Sequence, residues 1–253
     1  MKLLVIGGSQ GIGRSVVLQA LAAGQVVLAH GRDEAALAEL ATHGAHTIVG
    51  DLRESATLEA LGNRADELGI DTVVASQGVA GDGALTTLTP ERIRLVMEIN
   101  TVSVIRLYHA LRATLLERRG IFVVIASQAS LRPERFDSAY CASKWAVLHW
   151  VQSMAALESP HGVSVRAICP GRTKTALFDD AMAGFAAAAE MSLEEYTEMI
   201  LGLIPLRRFA PVEETAAATL FMAAHAPRPT VLAETGGEVP YSIAPFLVGG
   251  HQG

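Results

Sequence analysis

The chain has 253 residues, half of them apolar, and its formal net charge at pH 7 is −6. This is enough apolar chain to bury the core of one α/β domain, so we expect a single domain over residues 1–253. The modest negative charge and the lack of a basic stripe argue against a nucleic-acid partner. Without an apolar stretch of bilayer length or a secretion signal, the sequence predicts a cytoplasmic protein with no membrane partner.

Cysteine and histidine usage excludes two other classes. Cys141 and Cys169 are too few for a disulfide framework and lack zinc-ligand spacing, and the eight histidines form no H-x-x-x-H pair. We therefore expect reduced thiols in the core and no metal site.

Short β-branched runs alternate with longer helical stretches, which is typical of βαβ units in a doubly wound parallel sheet covered on both faces. Seven strands are predicted at 3–6, 26–29, 46–49, 72–75, 121–126, 163–168 and 231–233. Helices are predicted at 13–23, 34–42, 56–68, 90–118, 138–159 and 212–224, with Asp33, Thr89 and Asp137 at helix starts.

The predicted helices 90–118 and 138–159 carry apolar residues around more of their circumference than one sheet face requires. The residues Leu148, Trp150, Val151 and Met154 therefore face either a partner subunit or another part of the fold. Residues 176–205, rich in Ala, Met and Phe and interrupted by Gly184, are predicted to form a mobile lid over a substrate pocket.

A glycine cluster, I-G-G-S-Q-G-I-G, follows the first predicted strand. Gly7 permits a tight turn, Gly11 lets the backbone approach a pyrophosphate, and Gly13 lets the helix pack closely on the sheet. The free N–H groups and the dipole of the following helix favour a phosphate. An ordinary turn is the alternative, and the position in the first βαβ unit favours the dinucleotide site.

The end of the second strand reads His30-Gly31-Arg32, where an NAD-binding protein would carry an acidic residue. The guanidinium of Arg32 suits the 2′-phosphate of NADP, and Arg14 adds positive charge. The alternative is that Asp33 or Glu34 binds NAD and Arg32 is solvated, although Asp33 lies where a helix cap is expected.

The run Y-C-A-S-K places the Tyr140 phenol and the Lys144 ammonium one helical turn apart on one face. A neighbouring cation stabilises a phenolate, so we expect Lys144 to lower the pKa of Tyr140 toward the working range of an acid–base group. The alternative is a helix-surface tyrosine beside a lysine that reaches past it to solvent.

Two polar residues accompany this pair. Ser127 follows the fifth strand, at the carboxyl edge where open α/β sheets bind ligands, so its hydroxyl can hold a substrate oxygen; a turn residue is the alternative. Asn100 lies in an apolar stretch of the predicted helix 90–118, where an amide requires hydrogen-bond partners. The Asn100 amide therefore either has a role in the active site or makes hydrogen bonds that only stabilise the fold.

Together these residues resemble the short-chain dehydrogenases/reductases of compact, one-domain architecture, over nearly the whole chain. The resemblance rests on the glycine turn, Asp51, Asn100, Ser127, Tyr140 and Lys144, the run P-G-R-T-K-T at 170–175 and the segment 204–216. It implies a Rossmann-like sheet of seven parallel strands. It also implies that Asp51 hydrogen-bonds the adenine, Lys144 the nicotinamide ribose, and Thr175 with the backbone near Gly171 the carboxamide.

The predicted cofactor contacts are Gly7, Ser9, Gln10, Gly11, Ile12, Gly13, His30, Arg32, Asp51, Leu52, Ser76, Gln77, Gly78, Tyr140, Lys144, Pro170, Gly171, Thr173 and Thr175. For the reaction, the resemblance implies that Ser127 polarises a carbonyl, Tyr140 protonates it as hydride arrives, and Asn100 anchors a water leading to Lys144. Homodimers or homotetramers through the two long helices are also implied.

The chain departs from the family pattern at two places. The usual N-N-A-G after the fourth strand reads A-S-Q-G at 75–78, so only Gly78 remains and the loop geometry becomes less predictable. Thr235 stands where Asp is common, and the tail to Gly253 is expected to pack in its own way.

The sequence thus favours an NADP-dependent oxidoreductase acting on a small, apolar ketone or aldehyde, or the matching secondary alcohol. The alternatives are an NAD-dependent dehydrogenase of the same fold and a non-catalytic dinucleotide sensor, whose expected mark is a broken catalytic tetrad. The substrate pocket is expected from residues 80–85, 128–135 and the lid, where Arg132 or Arg135 either meets an anionic group or is solvated.

Overall fold

Seven parallel strands form one sheet in the computed structural model, which describes residues 1–81, 88–134 and 136–239. Their order across the sheet is β3-β2-β1-β4-β5-β6-β7, which confirms the predicted seven-stranded parallel sheet. The strands are β1 Lys2–Ile6, β2 Val26–Gly31, β3 His46–Val49, β4 Thr72–Ala75, β5 Ile121–Ile125, β6 Ser164–Pro170 and β7 Val231–Glu234.

Helices cover both faces of this sheet. The described helices are α1 Gly11–Ala22, α2 Glu34–Thr42, α3 Ser55–Leu68, α4 Pro90–Met97, α5 Ser103–Arg118, α6 Ser138–Glu158, α7 Ala176–Ala188, α8 Leu193–Leu203 and α9 Val212–Ala223. Successive side chains of a strand point to opposite faces. Accordingly, Leu4 and Ile6 of β1 pack with α3, α5 and α6, whereas Leu3 and Val5 pack with α1, α2 and α9.

The predicted helix 90–118 is two helices joined by a π-helical turn, Glu98–Val102. Two polar side chains in and beside this turn donate hydrogen bonds to backbone carbonyls. Thr101 Oγ1 donates to Ser143 of α6 at 2.9 Å, and Ser103 Oγ donates to Ile99 within the turn at 2.7 Å. Such π turns are frequent at functional sites. The prediction of one regular helix was wrong at this point.

Two of the three predicted helix caps are confirmed. Asp33 accepts a hydrogen bond from the backbone N–H of Ala36 at 3.0 Å, and Thr89 accepts one from Arg92 at 3.2 Å. Asp137 precedes α6, but within the described part of the chain its side chain does not cap the first turn. The prediction for Asp137 as a cap was therefore wrong, and its buried carboxylate faces the cavity described below.

The apolar excess of α6 is explained by the fold itself. Leu148 and Val151 are buried in the core, and Trp150 and Met154 pack against the same cluster. Of the large apolar residues of α6, Trp145 is instead 40% exposed and Leu157 is 61% exposed.

The predicted lid consists of α7, α8 and the residues that follow α8. Met182, Ala186, Tyr196 and Ile200 form a small core of their own, separate from the two layers of the sheet. Phe136, Phe178, Phe185 and Phe209 are among the residues that pack against it. The helices of residues 176–205 thus pack on each other through their own hydrophobic cluster. That they move as a lid stays a prediction.

Candidate active site

A cavity of about 600 Å³ opens at the carboxyl ends of the strands. Its wall includes the turn after β1 and the loop after β4. These two strands are neighbours, and the helices α1 and α5, which follow β1 and β4 respectively, pack on opposite faces of the sheet. Open α/β sheets bind ligands at such a switch point. Every predicted cofactor contact except Gly13 lines this cavity.

The glycine turn has a backbone that other residues would disturb. Gly7 and Gly11 have φ angles of 69° and 54°, in the left-handed region. A Cβ at Gly13 would lie 2.2 Å from the carbonyl oxygen of Gly7, so this glycine packs behind the turn. Gln10 precedes α1 without a side-chain cap, which leaves the first N–H groups of the helix for another acceptor. This cradle fits a dinucleotide pyrophosphate.

At the end of β2, the His30 side chain is 3% exposed. Burial lowers its pKa to about 4, although the Gly50 backbone and the charge of Asp51 both act to raise it. The imidazole is therefore neutral at pH 7. The exposed Arg32 also lines the cavity, and among the described residues its guanidinium has no hydrogen-bond partner. Arg14 does not contribute as expected, because it pairs with Glu39 at 2.7 Å and lies outside the cavity wall.

Asp51 lines the cavity beside an arginine that the sequence analysis missed. The Arg53 guanidinium binds both carboxylate oxygens of Asp51, with a closest N–O distance of 2.6 Å, and its hydrogen bonds lower the pKa of Asp51 to about 2. Arg53 also lines the cavity. Its position two residues after Asp51 was the only available signal, and a single arginine after a turn is usually solvated.

The A-S-Q-G loop packs against the glycine turn. A Cβ at Gly7 would lie 3.0 Å from the backbone nitrogen of Gln77, and one at Gly13 would lie 3.2 Å from Ser76 Oγ. The Gln77 amide donates to Ser103 Oγ at 3.1 Å. The Gln77 side chain, which stands at the alanine position of the family's N-N-A-G, therefore ties the loop after β4 to the residue that follows the π turn.

Asn100 fastens the same loop. Its Oδ1 accepts from the backbone N–H of Val79 at 2.9 Å, and its Nδ2 donates to the carbonyl of Val79 and to Ser143 Oγ, both at 2.9 Å. The side chain is 1% exposed and lies behind the cavity wall. Its amide therefore makes structural hydrogen bonds, which was one of the two alternatives from the sequence.

Tyr140 and Ser127 both line the cavity. Ser127 Oγ accepts from the backbone N–H of Ala129 at 3.1 Å, which orients the hydroxyl. Burial raises the pKa of Tyr140 to about 12; a hydrogen bond with Ser127 lowers it, and the charges of Asp137 and Glu134 raise it further. The expected lowering of this pKa by Lys144 was wrong, because burial dominates. At neutral pH the phenol is a proton donor.

Lys144 lies one turn further along α6, with Nζ 5.7 Å from the centre of the Tyr140 ring. Its side chain is buried rather than surface-exposed, and Nζ donates to the carbonyl of Ile125 at 3.0 Å. Burial lowers the pKa of Lys144 to about 8. A Cβ at Gly78 would lie 3.6 Å from this Nζ and 3.5 Å from Asn100 Oδ1, so the loop after β4 reaches both of these side chains.

The P-G-R-T-K-T run closes the cavity from the β6 side. Thr173 binds Thr215 of α9 through their hydroxyls at 3.1 Å, and Thr175 caps α7 by accepting from the N–H of Phe178 at 3.1 Å. A Cβ at Gly11 would lie 3.4 Å from the Thr175 methyl group. The glycine turn and this run therefore face each other across the nucleotide end of the cavity.

The sequence placed the substrate pocket in broad ranges, and the structure shows which of their residues line it. Leu177, Phe178, Ala181 and Phe185 of the lid line the cavity, and so do Gln128, Glu134 and Asp137 after β5. Isolated carboxylates in a loop resemble solvated surface, so no local signal distinguishes them. Arg132 is engaged by Glu238 rather than solvated, and Arg135 and residues 82–85 of the expected pocket lie outside the described residues.

Across the described ranges, no helix combines the length and the apolar character that a membrane crossing requires.

Thr235, which stands where the family commonly has Asp, lies next to Val239 at the end of the described residues. The backbone N–H and the carbonyl of Val239 both lie 3.3 Å from the Thr235 hydroxyl. The rest of the predicted tail lies beyond the described residues.

The chain is similar in sequence to known proteins. The family model of the short chain dehydrogenases matches residues 2–184. An L-xylulose reductase of Mesocricetus auratus is 32% identical over 243 residues, covering 94% of this chain and 93% of the relative. A 2-(S)-hydroxypropyl-CoM dehydrogenase of Xanthobacter autotrophicus is 29% identical over 227 residues, covering 86% and 87%.

The fold also matches solved structures. A crystal structure of an actinorhodin polyketide ketoreductase variant with NADPH superposes with a TM-score of 0.87 at 28% identity, covering 94% of this chain and 97% of that one. The resemblance inferred from the motifs is thereby confirmed. The chain is an NAD(P)-dependent oxidoreductase of the short-chain dehydrogenase/reductase family.

Proposed function

We propose that this protein is an NADP-dependent oxidoreductase that interconverts a small ketone or aldehyde and the corresponding alcohol. One observation carries the proposal: the Tyr140 phenol, the Ser127 hydroxyl and the Lys144 ammonium line the same cavity as the glycine turn. Proton donor, oxygen-binding group and dinucleotide cradle therefore share one space. The apolar lid wall supports a substrate with an apolar flank.

In the reductive direction, Ser127 holds the carbonyl oxygen and Tyr140 donates the proton. The nicotinamide supplies the hydride when it is bound. The pKa of about 12 keeps Tyr140 protonated until the oxygen becomes basic enough to take the proton. Lys144 stabilises the phenolate left behind, from a position fixed by the carbonyl of Ile125. Asn100 holds Val79 and Ser143, and so positions the loop and the helix that meet at Lys144.

The preference for NADP rests on the end of β2. Arg32 lines the cavity with its guanidinium unpartnered among the described residues, and Arg53 stands on the neighbouring loop. His30 takes the place of the carboxylate that would repel a 2′-phosphate, and it is neutral at pH 7. Asp33 is engaged as the cap of α2, which argues against the NAD alternative. Bound NADPH in the structurally similar ketoreductase agrees with this preference.

A non-catalytic dinucleotide sensor is the second candidate class. It predicts loss of a catalytic group, whereas the chain retains Ser127, Tyr140 and Lys144 in the cavity wall and Asn100 behind it, which supports the enzyme. Turnover decides between the two. We expect the purified chain to consume NADPH with a ketone from a mixed panel, and Tyr140→Phe to bind NADPH equally well while losing about 100- to 10,000-fold in turnover. Binding of NADPH with no turnover on any ketone or aldehyde would favour the sensor.

We further propose that the chain self-associates, as a homodimer or homotetramer, through α4, α5 and α6. Ile93 and Trp145 are each 40% exposed, and Leu157 is 61% exposed, so these helices offer apolar surface to a second copy. Light scattering at micromolar concentration tests this, because a monomer mass would contradict it.

A further inference from the structure

The reacting end of the cavity has two chemically different walls. The lid contributes the apolar side chains of Leu177, Phe178 and Phe185, whereas the loop after β5 contributes the Glu134 carboxylate. The Glu134 side chain is 22% exposed, so its oxygens are not sealed within the protein. The cavity that holds Tyr140 therefore offers a bound compound both apolar surface and a carboxylate.

Three neighbours hold Glu134 in place. Its Oε1 accepts from the Gln128 amide at 3.0 Å, and its Oε2 accepts from the Arg172 guanidinium at 3.2 Å. Arg132 lies 3.6 Å from Oε1. A carboxylate has room for about four hydrogen bonds, so each oxygen retains acceptor capacity for a ligand.

The nearby cations are already bound by carboxylates. Glu238, with a side chain 1% exposed, accepts hydrogen bonds from both Arg172 and Arg132. Burial alone would lower the pKa of Arg172, but Glu134 and Glu238 outweigh this effect and raise it. Neither guanidinium is free to receive an anionic substrate group, which was one of the two sequence-based alternatives for Arg132.

The remaining charges near Tyr140 are mostly negative. Asp137 is buried in the wall, and Asp180 lines the cavity from the lid. The charges of Asp137 and Glu134 reach the phenol, since both raise its pKa. Lys144 is the nearby cation, and its ammonium is directed to the carbonyl of Ile125. A second anion in this space meets repulsion, because the arginines beside Glu134 are already paired with carboxylates and Arg32, which is unpaired among the described residues of the cavity wall, lies at the end of β2.

We propose that this site selects uncharged carbonyl compounds that carry a hydroxyl group near the carbonyl and an apolar flank, and that Glu134 is the specificity-determining residue that accepts the hydroxyl hydrogen bond. This inference rests on the proposed function. The reaction stays the two-electron reduction of the carbonyl: a hydride from NADPH bonds to carbon, the Tyr140 proton bonds to oxygen, and the substrate hydroxyl is unchanged. A site built to bind a hydroxyl discriminates strongly against analogues that lack it.

Three ketones with one skeleton test the proposal on the unaltered enzyme: α-hydroxyacetophenone, acetophenone and benzoylformate, with NADPH saturating. We expect kcat/KM to be at least about tenfold higher for the hydroxyketone than for acetophenone, because a hydrogen bond to a charged group is a strong one. We expect benzoylformate to be the slowest, although its carbonyl is the most electrophilic. Equal rates for the first two, or faster reduction of benzoylformate, would overturn the inference while leaving the proposed function intact.

Glu134→Gln then tests the residue itself. This variant keeps the size and an acceptor oxygen but removes the charge, so the advantage of the hydroxyketone should shrink and benzoylformate should gain at least about tenfold relative to it. Glu198→Gln makes the same change on an exposed face of α8 outside the cavity and should leave all three ratios unchanged. If Glu134→Gln does not fold, the ratios of the unaltered enzyme still decide. If NADPH binds and none of the three ketones is reduced, the inference fails; if NADPH does not bind, the proposed function fails with it.

Discussion

The two ends of the cavity are built in different ways. The nucleotide end is made largely of backbone within residues 6–13, where Gly7 and Gly11 adopt positive φ and Gly13 leaves no space for a Cβ. The reacting end is made of side chains from segments far apart in sequence, including Ser127, Tyr140, Arg172 and the lid. One end tolerates little variation within one short motif, whereas the other depends on several segments whose side chains meet only in the folded chain.

The electrostatics of the two ends differ accordingly. At the nucleotide end, Arg32 and Arg53 lie at the cavity mouth, and Arg53 is paired with the partly exposed Asp51. At the reacting end, Lys144 is buried and Tyr140 is half-buried, and loss of solvent raises the pKa of Tyr140 to about 12 and lowers that of Lys144 to about 8. Binding of the cofactor and chemistry on the substrate should therefore respond to different changes.

The largest effect is expected from Gly13→Ala. Its Cβ would lie 2.2 Å from the Gly7 carbonyl oxygen, so α1 must move away from the turn. We expect the free energy of unfolding to fall by about 1–3 kcal/mol and NADPH affinity to fall by about 100-fold, or 2.7 kcal/mol. Fluorescence titration with NADPH and a denaturant melt measure both. Unchanged affinity would show that the turn does not hold the pyrophosphate.

Arg32→Asp should change the preference between NADPH and NADH without altering the residues at the reacting end. Loss of a charge-assisted hydrogen bond to the 2′-phosphate, which contributes about 1.5–3 kcal/mol, should move the ratio of kcat/KM for NADPH over NADH by about 10- to 100-fold toward NADH. Steady-state kinetics with each cofactor and one ketone measure the ratio. Arg14→Asp, at a position outside the cavity wall, is the matched control. An equal shift in both variants would remove Arg32 from the 2′-phosphate site.

The pH profile of ketone reduction should report the reacting end. Lys144 is charged below its pKa of about 8 and loses its proton above it, and the neutral amine no longer stabilises the departing Tyr140 phenolate. We expect a level rate below that pH and a decline approaching about tenfold per pH unit above it. Tyr140, with a pKa of about 12, stays protonated across this range. A rate that stayed level up to about pH 10 would contradict this role for Lys144.

The smallest effect is expected from Gly184→Ala in α7. A Cβ at this glycine would meet no atom within 4 Å, in contrast to Gly13. Alanine in a helix interior is more stable than glycine by up to about 1 kcal/mol, so the melting temperature should rise slightly while NADPH affinity stays constant. A loss of stability would mean that α7 does not form as a regular helix at this position.

Most of the fold and of the nucleotide end could be predicted from the sequence. Alternating strand and helix patterns gave the seven parallel strands, and the motif spacing gave a set of cofactor contacts of which all but Gly13 line the cavity. These features depend on local backbone preference and on periodicity, which a sequence records directly. The caps at Asp33 and Thr89 were predictable for the same reason.

Only the tertiary structure decided the rest. The π turn at Glu98–Val102, the pairing of Arg14 with Glu39 and the burial of Leu148 and Val151 each depend on what packs beside them. The direction of the Tyr140 pKa shift was also decided there, because the cost of burying a phenolate is the largest contribution to it. Glu134 shows the same limit: by itself it resembles a solvated surface residue, and only the fold brings the sequence-distant Arg172 against its carboxylate in the cavity wall.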